Sequence, residues 1–157
     1  MAFALLLIFS LSAAALEKRC VVVGSAGSEL AAIAREAAET KKLADELEGY
    51  LRSTSPHWLT MAYQMGYLEA RIRSLRNSIG RFERLEPQLD ENQKQQLERL
   101  KAGLATLTLF ANQTNRLIGE KQLWPHRDTL MAHAQAMAAR ADVIRKAARE
   151  LRVMELG

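Results

Sequence analysis

Residues 58–82 read WLTMAYQMGYLEARIRSLRNSIGRF, and the large apolar side chains in them fall at Trp58, Met61, Met65, Leu68, Ile72, Leu75, Ile79 and Phe82. The steps are three or four residues long, without a break. A strand sends successive side chains to opposite faces and cannot gather this set on one side. A helix of about 3.6 residues per turn gathers it into one stripe. Glu69, Arg71, Arg73 and Arg76 fall between the apolar positions.

The same stride recurs three times. It runs through Leu30, Ile33, Ala37, Thr40, Ala44, Leu47 and Leu51, then through Leu97, Leu100, Leu104, Leu107, Ala111, Thr114 and Ile118. The last copy is Leu130, Ala134, Met137, Ala141, Ile144, Ala148 and Leu151. Four such seams predict an all-α fold in which long helices pack side by side, knobs into holes. The seams of the second and third segments are bulky and those of the first and fourth alanine-rich, which predicts large-against-small packing.

The three prolines punctuate the seams. Ser55-Pro56 reads as an N-cap followed by a first helical residue, where a missing N–H costs nothing. Pro87 stops the second helix. Asp90-Glu91-Asn92-Gln93 reads as a capping box, with Asp90 as the cap and Gln93 reaching back to it. Trp124-Pro125 opens the fourth helix, or Asp128 does so one turn later. The expected helices span about 28–53, 56–86, 90–121 and 125–155. Their short joints predict an up-down-up-down four-helix bundle over 28–157.

At 157 residues the chain is one domain by size, and 48% apolar content excludes a disordered chain. The net charge of +4 is mild. The first helix carries six acidic and four basic residues and the fourth six basic and four acidic, so their charges offset within the molecule. With no basic run interleaved with aromatics, nucleic acid is not an expected partner. A single cysteine, Cys20, excludes an internal disulfide framework.

Residues Ala2 to Leu16 read AFALLLIFSLSAAAL, an apolar run too short to span a bilayer comfortably. It fits the apolar core of a secretory signal, and Ala13-Ala14-Ala15 fits the small-residue cleavage site. The expected division is a signal or anchor segment at 1–15, a flexible linker at 16–27 and the bundle beyond. Export to the periplasm or outside the cell is the first expectation, and a membrane tether through residues 1–16 the second. In an oxidising compartment Cys20 would be available to link two chains.

One end of the bundle collects the residues with chemistry. Helices two and four start there, bringing together His57, Trp58, Met61, Met65, Trp124, His126, Met131 and His133. Imidazole and thioether suit copper ions, so His57, Met61, His126 and His133 are the candidate metal ligands. The competing expectation is that Met61 and Met65 are core and that histidines in first turns are simply exposed. No resident cofactor is indicated, and no nucleophile elbow, phosphate loop or paired catalytic carboxylates are present.

Leu89-Asp90-Glu91-Asn92-Gln93 resembles the Leu-Thr-x-x-Gln motif of periplasmic helical stress chaperones and heavy-metal-resistance proteins, with Asp90 where that motif has threonine. The resemblance covers five residues, and a capping box accounts for the same letters. The function expected from the sequence is therefore a non-catalytic exported bundle acting on a protein partner, or on itself, as adaptor, scaffold or holdase. Metal binding at the His/Met/Trp end is the alternative. Leu43, Tyr50, Tyr63, Tyr67, Phe110 and Leu117 are the candidates for an exposed apolar patch.

Overall fold

The computed structural model describes the backbone of residues 4–155 except 86–88 and 122, and the side chains of 26–152 with the same exceptions. Four helices account for the fold: α1 (Ala4–Leu51), α2 (Trp58–Glu83), α3 (Glu91–Gly119) and α4 (Arg127–Glu155). Each of the four seams is buried along its whole length, apart from Trp58, which is partly exposed at the start of α2. The core is their union, from Ala26 and Leu30 in α1 to Leu151 in α4.

Neighbouring helices run antiparallel, as interhelical contacts at several levels show. Arg81 bonds Glu29 and Arg71 bonds Glu36 between α2 and α1. Lys101 meets Glu83, and Arg76 donates to Thr108, between α3 and α2. Thr114 touches His133 between α3 and α4, and Gln135 donates to Glu48 between α4 and α1. Each helix thus packs on its chain neighbours, and α1 closes the ring against α4.

The closest packing is not large against small. α1 lies most intimately on α4, and both seams are alanine-rich there, so the backbones approach. α2 and α3, with bulky seams, touch least. The large-against-small pairs, α1 with α2 and α3 with α4, pack to an extent between these two.

The helix ends correct the sequence reading in three places. First, α1 is a single helix of 48 residues that continues through positions 16–27, expected as a flexible linker. No proline interrupts that stretch, and Ala26, only 2% exposed, extends the buried seam one turn back from Leu30. The side chains of the apolar stretch and of Cys20 lie outside the described residues. Among the described residues no helix is long and apolar enough to cross a membrane.

Second, His57 and not Ser55 caps α2. Its backbone is extended (φ −112°, ψ 133°), and its Nδ1 accepts the N–H of Leu59 at 3.2 Å. Pro56 is buried in the preceding loop, where Tyr50 Oη accepts the N–H of His57 at 2.9 Å. Third, Pro125 lies in a 3₁₀ turn, Trp124–His126, that leads directly into α4. The capping box at Asp90 is present in both halves: Gln93 N–H donates to Asp90 at 2.8 Å and Asp90 N–H donates to Gln93 Oε1 at 2.9 Å.

Charge complementarity is placed differently from the expectation. The acidic residues of α1 are met by arginines of α2, at Arg81–Glu29 (2.9 Å) and Arg71–Glu36 (3.4 Å). Across α1 and α4, Arg127 donates to the Leu51 carbonyl at 2.8 Å and the neutral Gln135 donates to Glu48 at 2.7 Å. That bond and Arg52 hold the Glu48 carboxyl below the usual carboxylate range.

Candidate functional site

The end where α2 and α4 begin is a built structure. Three backbone groups are satisfied there by side chains, two of them from across the chain. Arg127 at the start of α4 donates from Nε to the Leu51 carbonyl at 2.8 Å, closing the C-terminus of α1, and from an Nη to Ser53 at 3.3 Å. Tyr50 holds the α1–α2 loop through His57. The guanidinium of Arg127 also lies 5.1 Å from the Trp124 ring centroid.

Between these contacts is a cleft of about 340 Å³ lined by Pro56, His57, Trp58, Lys121, Trp124 and Pro125, with Leu123 also on its wall. His57 stacks on Trp58 with centroids 5.9 Å apart. Lys121 places its Nζ 5.3 Å above the Trp58 ring. Trp124 remains 57% exposed.

Lys121 is the residue that sequence reading missed. It follows the α3 C-cap in the left-handed region at φ 59°, and among the described residues no other non-glycine has a positive φ. Glycine or asparagine is the usual occupant of such a position, because a Cβ crowds the following carbonyl. Gly119, two residues earlier, is the residue that looks like a helix stop, yet it is still helical and its φ is negative. The signal was a lysine just past a helix end, legible only once the turn is known.

The four candidate metal ligands have separate surroundings. Met61 is fully buried in the core. His57 uses Nδ1 as a helix cap. His126 Nε2 lies 2.7 Å from Glu120. His133 is about two turns further along α4, beside Thr114 (3.3 Å) and tilted against Phe110 with centroids 5.5 Å apart. Burial holds the His133 imidazole below its ordinary pKa. Among the described residues no three His, Cys, Asp or Glu side chains converge as a metal cage would require. The end does bring His57, Trp58 and Trp124 together around one cleft, as helix order implied.

The six candidate patch residues divide. Leu43, Tyr50, Phe110 and Leu117 pack against the core and complete it. Tyr63 and Tyr67 stand out from α2, 66% and 67% exposed, with Leu59 at 44% one turn before them. These three lie on one face at four-residue spacing. Gly66 lies beside them, with nothing within 4 Å of where a Cβ would be.

Two further grooves run along the bundle. The α3–α4 groove, about 400 Å³, is lined by Gln96, Arg99, Gly103, Arg140, Val143 and Lys146 among others. The α2–α3 groove, of similar volume, is lined by Arg76, Ile79, Glu83, Lys101 and Thr108 among others. Neither aligns a nucleophile with a base. Lys101, bonded to Glu83 and Glu98, is held above the usual lysine range and stays an ammonium.

Comparison with protein-family models, with curated proteins and with solved structures finds no match to this chain.

Proposed function

We propose that this protein is a non-catalytic helical bundle, exported by its apolar N-terminal stretch, that acts by binding another protein through the outer face of α2. The observation that carries this reading is the exposed row Leu59, Tyr63 and Tyr67 on a bundle whose seams are otherwise closed. Tyrosine offers a large amphipathic surface with little rotamer entropy to lose, which is why it is enriched in binding surfaces. The open backbone at Gly66 lets a partner approach closely.

The test is position-specific photo-crosslinking in the native compartment. A photoreactive side chain replaces Tyr63 or Tyr67, and Glu98 on the outer face of α3 serves as control. A discrete adduct from the two α2 positions alone is the expected result. No adduct, or equal labelling from all three, contradicts the reading. The adduct mass distinguishes a different protein from a second copy of this chain.

A second reading concerns the N-terminus, and one observation favours it. α1 passes from the apolar stretch into the bundle as one helix, from Ala4 to Leu51. A retained stretch would then tether the bundle to a membrane through a stiff connection. Mass spectrometry of the mature protein decides: a chain starting near Leu16 supports export and release, and an intact Met1 in the membrane fraction supports the tether.

A further inference from the structure

We propose that the cleft at the α2/α4 end is a binding site for a carboxylate carried on a flat apolar group. The walls are two indoles, an imidazole and two proline rings; Lys121 and His57 already lie against Trp58, and Trp124, 57% exposed, offers the planar surface for a flat ligand. The side chains there that still have hydrogen-bonding capacity are donors. No carboxylate among the described residues pairs with Lys121, and its ammonium rests on the Trp58 ring. The nearest acid in sequence, Glu120, is engaged with His126.

The histidine is set as a donor by its structural duty. Because Nδ1 accepts the N–H of Leu59, the neutral ring carries its proton on Nε2. The two indole N–H groups donate only. A site of donors and aromatic faces selects an anion with an apolar body. It disfavours a cation, since Lys121 already occupies the face of Trp58.

The backbone supplies the independent observation. Lys121 holds a left-handed conformation that favours glycine, and it is the residue whose ammonium reaches the cleft. That conformation ends α3 in the common way for a helix C-terminus and, in the same turn, directs the Lys121 side chain to the cleft. Tethering the ammonium one residue past the α3 cap brings it over Trp58 from across the loop.

The chain has only two tryptophans, Trp58 and Trp124, and both line this cleft. Intrinsic fluorescence is therefore a reporter of this site alone. The full chain is titrated with phenylacetate and, separately, with the neutral phenylacetamide. A short peptide ending in phenylalanine is added with its carboxyl terminus free or amidated. The expected result is saturable quenching or enhancement by the acids, at least tenfold weaker for the matching amides. If the free peptide binds at least tenfold tighter than phenylacetate, the carboxylate belongs to a protein C-terminus. Comparable affinities assign it to a small aromatic acid.

Lys121→Gly suits the backbone at this position and keeps the fold, which circular dichroism and an unlowered Tm check. It should weaken the acids at least tenfold, and Lys121→Arg should retain them within about threefold. Tyr63→Ser with Tyr67→Ser, on the α2 face, should leave the titration unchanged, which separates this site from the partner surface proposed above. Equal binding of acid and amide, acid binding unaffected in folded Lys121→Gly, or no saturable change with any of the four probes overturns the proposal.

Discussion

Single residues set the limits of this bundle, and glycine shows how differently one residue type can act. Gly103 in α3 faces α4 so closely that a Cβ there would come 2.9 Å from Ile144 Cγ1, which is buried. Gly66 in α2 faces open space. Alanine improves helix propensity at both by about 1 kcal/mol, but overpacking costs about 1–3 kcal/mol. Gly66→Ala should therefore raise stability by up to about 1 kcal/mol, and Gly103→Ala should lower it by about 1 kcal/mol, measured by urea denaturation. His133 links the stability of the fold to pH. The hydroxyl proton of Thr114 goes to the Phe110 carbonyl, so the Thr114 oxygen accepts from His133, with the proton on Nδ1. Burial lowers the His133 pKa in the folded state, so the unfolded chain takes up the proton first. That contribution to stability is complete above the unfolded value and is lost as pH falls below it. Stability should decline as pH falls through about 6.5, the unfolded value, and His133→Gln should flatten that part of the profile.

At the scale of the element, the seam decides which side chains matter. Leu107 and Leu109 are two residues apart on α3, the first fully buried and the second 53% exposed. Leu107→Ala should cost about 2–5 kcal/mol and Leu109→Ala less than about 0.5 kcal/mol, read as a shift in denaturation midpoint. This contrast was legible in the sequence, since a stride of three and four admits one register. The Asp90 cap was legible for a similar reason: its four letters carry both halves of the reciprocal bond. The start of α2 was not. Ser55-Pro56 has the composition of a helix start, but the Tyr50 hydroxyl, seven residues back, and the burial of Pro56 shift the cap to His57, and the two-residue motif shows neither. The start of the first helix is not legible from Gly24-Ser25-Ala26-Gly27, whose letters suit a loop: the backbone is helical there, and Ala26 extends the buried seam.

For the whole molecule, helix number, direction and order followed from four seams and short joints. The unequal sides of the bundle did not, because pairing small seams with each other depends on which helices become neighbours. The cleft was half legible: helix order placed His57, Trp58 and Trp124 at one end, but Lys121 enters it only through a left-handed turn. The metal reading drew on the same end, yet its four residues have separate tasks in the fold. All of this depends on α1 closing the ring against α4 within one chain. Glu48 and Gln135, whose side chains meet at 2.7 Å, offer the direct test. Both are replaced by cysteine in a Cys20→Ser background and treated with a short bifunctional maleimide at low protein concentration. The expected result is efficient cross-linking within single chains, at monomer mass and with native helicity. Failure to cross-link, or cross-linked dimers only, would contradict a ring closed by one chain.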